Sequence, residues 1–334
     1  MSATISVADA RKWGIAILLE YNVSQKSAEV TIDALLRAEL EGIPSHGFSR
    51  IPFYAAQSAS GKLDGQAVPR ITRPKPGIVK VDAECGLAFR AFADALPVVA
   101  GAVREQGAAF LCVSNSHHAG VLGFPVGDLA AQGLLALGFS NSPAALAPFG
   151  GCKMTFGTNP LALGCPRKGG PPLIIDLSLG LLARGKILQA ARNGGQIPEG
   201  AAVDANGKPT RDPSRALEGA MLPFGGAKGS ALALMVEILS AALTASSFGF
   251  EASSFFTAEG EAPRIGQSFF VIDPEVVGGP AFTDRVERLL AFILEQPGAR
   301  LPGDRRRELG EKARAKGKIA LPDDLYEQLL GLSR

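Results

Sequence analysis

Only three histidines occur in the 334 residues, His46, His117 and His118, and all of them sit in short polar runs. In the run Ser45-His46-Gly47-Phe48-Ser49-Arg50, the histidine can donate a proton near neutral pH. The adjacent Ser45 hydroxyl can tune or relay that proton. Gly47 allows a ligand close to the backbone, and Arg50 offers a planar fork that suits a carboxylate. On these residues alone, the run equally describes a helix-capping serine with a surface His–Arg pair.

Four further runs could meet a ligand. Ser114-Asn115-Ser116-His117-His118-Ala119-Gly120 follows an apolar stretch and could offer backbone N–H groups to phosphate or ribose, or be a capped turn. Phe156-Gly157-Thr158-Asn159-Pro160 is a tight turn by composition; Thr158 could bond a substrate carboxylate, or the turn could be only a turn. Asp176-Leu177-Ser178 puts a carboxylate where it can orient a histidine or cap the next helix. Gly225-Gly226-Ala227-Lys228-Gly229-Ser230 opens a helix in a manner that favours anions, or is a flexible lead-in.

Several chemistries lack their residues. There is no H-E-x-x-H or Cys/His cluster, so no metal site is expected. There is also no G-x-S-x-G elbow, no P-loop and no G-x-G-x-x-G fingerprint. Hydrophobic residues make up 46% and charged residues 20%, a balance that builds a core rather than a disordered chain. The net charge of +2 gives no reason to expect nucleic acid. Cys85, Cys112, Cys152 and Cys165 form no C-x-x-C pair and read as buried reduced thiols. The first residues show no export signal, so a cytoplasmic location is expected. The apolar stretch Ala231 to Phe250 contains Glu237 and several serines, and reads as a buried core helix rather than a membrane span.

The elements that must position these runs alternate. Helices fit from Ser6, with Asp9 completing a capping box, and over Ser27–Glu41, Leu87–Glu105, Leu179–Ala191, a long stretch from Lys228, Thr283–Gln296, Arg305–Ala315 and Asp323–Leu332. Ile71–Val81 is β-rich, and Ala109–Val113, Leu134–Phe139, Leu161–Leu163, Leu173–Ile175 and Ser268–Ile272 read as buried strands. Asn193–Arg215 reads as a long Gly/Pro-rich loop. Ser45 and His46 fall just after a helix that Gly42 ends. The alternation is that of an α/β protein.

Taken in order, the runs resemble the malate/L-lactate dehydrogenase-like oxidoreductase family. S-H-G-x-x-R, S-N-x-H-x-x-G, F-G-T-N-P, I-D-L-S with A-R-G-K-I, I-P-x-G-x-A-V-D-x-x-G-x-P-T-x-D-P and K-G-x-x-L-A-L-M-V-E carry the resemblance from about Val7 to Leu330. Within the family, Gly225–Ser230, Gly249–Phe256 and Arg264–Gln267 look most like Δ1-piperideine-2-carboxylate/Δ1-pyrroline-2-carboxylate reductases. Two departures stand out. Ser230 follows K-G where many hydroxy-acid members carry an aromatic residue. Ser116-His117-His118-Ala119 replaces S-N-H-F-G, leaving His117 or His118 at the cofactor.

The resemblance implies a mixed, largely antiparallel central sheet and a non-Rossmann NAD(P)-binding domain, with helical N- and C-terminal segments packed together. Residues 1–115 plus 280–334 would form one domain and 116–279 the cofactor domain. It implies NADPH, with NADH as the alternative, and a homodimer with its site near the interface. Ser45, His46 and Asp176 would form the proton relay, with His46 as acid. Arg50 and Thr158 would hold the substrate carboxylate. His118, Ala119, Gly120, Val121 and Leu122, then Asp176, Leu177 and Ser178, then Lys228 and Gly229, would contact the cofactor, and Arg305 and Arg306 its phosphate. The substrate would be a small 2-imino or 2-keto acid: a cyclic imine in the first reading, malate or L-lactate in the second. A non-catalytic cofactor-binding protein is the remaining alternative.

Overall fold

The computed structural model describes residues 2–333. Seven strands form the central sheet in the order Arg70–Lys75, Ile78–Asp82, Ala108–Ser116, Ile265–Ile272, Leu135–Ser140, Leu161–Cys165, Leu173–Leu177. Ile78–Asp82 and Ala108–Ser116 run parallel; every other neighbouring pair is antiparallel. The parallel pair needs a crossover, and the helix Ala88–Gln106 provides it, ending on Gly107 in the left-handed conformation. The sheet is therefore mixed and largely antiparallel, as the resemblance implied.

Two helices bury the sheet. Val99 and Val103 of Ala88–Gln106, with Val126 and Leu129 of Gly123–Ala130, pack against Leu111, Val113, Ala136, Phe269 and Val271. A second core joins the two ends of the chain: Ile17, Leu18, Ile32, Leu35, Phe48, Ile51 and Tyr54 meet Ile319, Leu321 and Leu329. Strand Ser2–Ser6 pairs antiparallel with Lys318–Pro322, and the Trp13 indole donates to the Ser333 hydroxyl at 2.6 Å. The expected cap also forms, with Ser6 Oγ accepting the Asp9 N–H at 3.0 Å.

The structure corrects four local readings. The helix expected from Leu179 starts at Arg184, because the Leu179 and Leu181 N–H groups donate to the carbonyls of Thr158 and Leu222 instead of opening a helix. The loop Asn193–Arg215 holds two strands of a three-stranded sheet. Pro213–Glu218 then forms a helix capped by Asp212, whose side chain accepts from Ser214 and Arg215 N–H. The apolar stretch forms the α-helix Ala227–Glu237 and a π-helical turn Ile238–Ala242. It is buried on one face only: Leu234, Met235, Ile238 and Leu243 are 40–53% exposed. Cys112 and Cys165 are buried, but Cys85 is half-buried and Cys152 exposed. No helix among the described residues is long and apolar enough to cross a membrane.

Candidate active site

The run 45–50 is a tight pair of 3-10 turns, Pro44–His46 and Phe48–Arg50. Helix Gln25–Leu40 holds it from below. Glu39 Oε1 accepts the Phe48 N–H at 2.7 Å, and position 47 is glycine because a Cβ there would collide with that carboxyl group. Burial raises the Glu39 carboxyl to about 7, although the Phe48 N–H opposes this. Within the turns, Ser49 Oγ donates to Pro44 O at 2.6 Å and Arg50 Nε to Ser45 O at 2.7 Å. Ser45 Oγ lies 3.0 Å from His46 Nδ1. The loop thus fixes hydroxyl, imidazole and guanidinium together.

The end of strand Ala108–Ser116 delivers the other two histidines beside it. The rings of His46 and His118 are 5.3 Å apart and tilted by 31°. His118 Nδ1 is 2.7 Å from Tyr54 Oη, and His117 Nε2 is 2.7 Å from Gln57 Oε1. It is therefore His118 that adjoins His46, while His117 is fully buried behind it. All three imidazoles are held neutral. Burial, then Arg50 and Arg306, brings His46 down to about 3. Burial, then Lys62 and Arg50, brings His117 to about 3, and burial with Arg50 and the other two histidines puts His118 well below its ordinary value.

A clamp closes the third side. Buried Lys62 donates to the carbonyls of Ser254, Thr257 and Glu259 at 2.7, 3.0 and 2.8 Å. Gln57 Nε2 donates to Phe255 O at 2.7 Å. So held, Phe255 packs on both His117 and His118, and the Arg50 guanidinium carbon sits 4.9 Å from the Phe256 ring centre. Arg50 is only 9% exposed, yet it makes no ion pair among the described residues. A buried charge normally needs a partner, so this guanidinium is suited to pairing with an anionic ligand.

Asp176 lies on strand Leu173–Leu177. Its Oδ2 accepts the Gly123 N–H at 3.1 Å and is 3.5 Å from Arg306 Nη1. Gly123 has no room for a side chain, since a Cβ would lie 2.9 Å from that oxygen. Burial raises the Asp176 carboxyl against the pull of Arg306. No hydrogen bond joins Asp176 to His46 among the described residues; the two meet electrostatically through Arg306, which pairs with one and depresses the other.

The remaining predicted residues lie on other elements and make no hydrogen bond or ion pair to His46 or Arg50 among the described residues. Thr158 N–H donates to Ser142 Oγ at 3.1 Å, and Thr158 O accepts the Leu179 N–H, so its own hydroxyl stays without a protein partner among the described residues. Ala119, Val121 and Leu122 are buried in the protein, and beside Gly120 they have backbone rather than side chains to offer a ligand. Leu177 and Ser178 are exposed. Ser230 is buried, its Oγ accepting the Phe149 N–H at 2.9 Å. Glu237 is structural: it takes the Asn141, Asn159 and Gly249 donors at 3.2, 2.7 and 2.6 Å.

This donor set fits a phosphorylated dinucleotide. Lys228 at the N-terminus of helix Ala227–Glu237 and Arg305 at that of Asp304–Lys316 are exposed cations with no ion pair among the described residues. Each is placed where a phosphate is favoured. The motif reading missed Glu39, Tyr54, Gln57, Lys62 and the Phe255 contacts. The one available signal was the i, i+3 spacing of Tyr54 and Gln57 on helix Ile51–Ser60.

Residues 5–330 match the family model described as malate/L-lactate dehydrogenase. The chain is 46% identical over 330 residues to a (2R)-3-sulfolactate dehydrogenase (NADP(+)) of Chromohalobacter salexigens, covering 98% of each. It is 40% identical over 310 residues to the Δ1-pyrroline-2-carboxylate/Δ1-piperideine-2-carboxylate reductase of Pseudomonas syringae pv. tomato, covering 92% of this chain and 90% of that one. The crystal structure of Δ1-piperideine-2-carboxylate reductase from the same pathovar superposes with a TM-score of 0.93 at 38% identity, covering 99% of both chains. Fold and likeness together define an oxidoreductase with a non-Rossmann sheet. The chain belongs to the malate/L-lactate dehydrogenase family.

Proposed function

We propose that this protein is an NADPH-dependent reductase of cyclic 2-imino acids, converting Δ1-piperideine-2-carboxylate and Δ1-pyrroline-2-carboxylate to L-pipecolate and L-proline. The observation that carries this reading is buried Arg50, a guanidinium with no ion pair among the described residues and backed by the Phe256 ring. One cation beside an aromatic wall suits a substrate with one carboxylate and an apolar ring. Arg50 and the Thr158 hydroxyl hold the carboxylate and so orient C2. Burial, then the charges of Arg50 and Arg306, keeps His46 neutral in the free protein, and a bound carboxylate offsets the Arg50 part. His46 then takes a proton and gives it to the imine nitrogen, while Ser45 Oγ on Nδ1 fixes the ring. The reduced nicotinamide, when bound, supplies the hydride. Asp176 anchors Arg306, and the backbone of His118–Leu122, the segment Asp176–Ser178, Lys228, Gly229 and Arg305 hold the cofactor.

The second reading is a 2-hydroxy-acid dehydrogenase, favoured by the 46% identity to a sulfolactate dehydrogenase. A dianionic acid would need a second free cation beside Arg50, but Arg306 is already paired with Asp176. NADPH oxidation with the two cyclic imines, 3-sulfopyruvate, oxaloacetate and pyruvate separates the readings. The imines should lead in kcat/KM by at least about tenfold; a lead for sulfopyruvate would sink the imine reading. A homodimer and the division into residues 1–115 plus 280–334 and 116–279 belong to the same proposal. The outward Leu234, Met235, Ile238 and Leu243 support the dimer.

A further inference from the structure

We propose that Tyr54 is a positioning residue that locks His118 as the Nε2–H tautomer, giving the site a neutral hydrogen-bond donor beside His46. This rests on the reading above, in which His46 is the acid.

The argument is one of hydrogen-bond accounting. Tyr54 is 1% exposed, and His118 Nδ1, at 2.7 Å, is the one partner of its hydroxyl among the described residues. Were Nδ1 the donor, the phenolic proton would be left buried with no acceptor, at a cost of about 1–3 kcal/mol. The phenol therefore donates, Nδ1 accepts, and a neutral imidazole must then carry its proton on Nε2. Nε2 has no protein partner among the described residues, and unlike the sealed Nδ1 of His117 it is not among the buried unpaired atoms. It is thus free to meet a ligand, next to the His46 ring 5.3 Å away.

Burial above all, then Arg50, keeps the ring neutral. Arg50, His46 and His117 face it, Phe255 packs on it at 5.1 Å, and no carboxylate is among the groups that act on it. Two adjacent imidazoles consequently do different work. His46, with a serine on Nδ1, can exchange its proton. His118, with a buried phenol on Nδ1, cannot relay one, because Tyr54 has nothing behind it to accept a proton from.

With only three histidines in the chain, 15N-histidine labelling gives three side-chain spin systems, and His118→Gln assigns one of them. The wild-type signal of His118 should show protonated Nε2 and bare Nδ1, unchanged from about pH 5 to about pH 8. In Tyr54→Phe that signal should move toward a mixture of tautomers, and kcat/KM should fall about two- to tenfold. A proton on Nδ1 of wild-type His118, a titrating His118, or a Tyr54→Phe spectrum identical to wild type would each overturn the proposal. If Tyr54→Phe fails to fold, the wild-type spectrum alone decides. Full turnover by His46→Ala would instead defeat the functional reading and leave the tautomer assignment standing.

Discussion

Ser45 Oγ and His46 Nδ1 are 3.0 Å apart on consecutive residues, held in one 3-10 turn. A hydroxyl on Nδ1 leaves Nε2 as the ring atom that meets substrate, and Nε2 has no protein partner among the described residues. The turn is fixed by its own backbone bonds, His46 N–H to Ile43 O and Gly47 N–H to Pro44 O. The imidazole is therefore oriented before any ligand arrives, a condition for efficient proton transfer.

Removing the acid should separate chemistry from binding. His46→Ala is expected to lower kcat by about 10²–10⁴-fold, with the NADPH dissociation constant, read by fluorescence titration, essentially unchanged. Wild-type turnover would exclude His46 from the reaction.

Arg50 should trade stability for binding. Arg50→Met removes a buried charge that lacks a counter-ion among the described residues, so thermal melts should show an equal or higher Tm. KM for the acid should meanwhile rise by about 10–100-fold, the loss of a charge-assisted hydrogen bond. A lower Tm with an unchanged KM would mean that the guanidinium is structural.

Binding an anionic substrate should draw in a proton. The free protein keeps His46 neutral, at about 3, through burial and the charges of Arg50 and Arg306. In the folded chain this lowered value costs stability as pH falls from the ordinary 6.5 toward about 3. A carboxylate on Arg50 cancels part of that field and raises the imidazole. Calorimetric titration with an unreactive cyclic 2-carboxylate, in two buffers of different ionisation enthalpy near pH 6, should reveal net proton uptake. Equal heats in both buffers would contradict the linkage.

Glu39 should make stability depend on pH. Its carboxyl is raised from 4.5 to about 7, so the folded state binds the proton more tightly than the unfolded chain. That contribution is complete below about 4.5 and lost as pH climbs through about 7. The Glu39→Gln substitution mimics the protonated form, and the new amide oxygen can still accept the Phe48 N–H. The variant should match wild type at about pH 5 and melt higher at about pH 8. Parallel Tm curves would refute the assignment.

Much of this was legible in the residues, and what was not has physical causes. The apolar runs before Ser114 and Asp176 read as strands because short apolar runs are a local signal, although only the first is buried and Leu173–Ile175 is half-buried at the sheet edge. Strands Ser2–Ser6 and Lys318–Pro322 were missed because each exists only by pairing with the other, at the far end of the chain. Lys62 carries no motif, since it bonds carbonyls, and any residue could supply those. The apolar face Leu234–Ile238 read as core because periodicity reports hydrophobicity, not what covers it. Asp176 was expected against His46, and a pairing through Arg306 in a distant helix could not be read from either motif.

The β-ladder that ties Ser2–Ser6 to Lys318–Pro322 also governs the order of assembly. A polypeptide is synthesised from its first residues onward, at about 5–20 residues per second. Here Ser2–Ser6 has to wait for Lys318–Pro322, far along the chain, before it can pair. The same junction backs the helices that carry Glu39 and Tyr54, so the central sheet can form before the junction does, whereas the helices behind the candidate site are braced only once Lys318–Pro322 has been made.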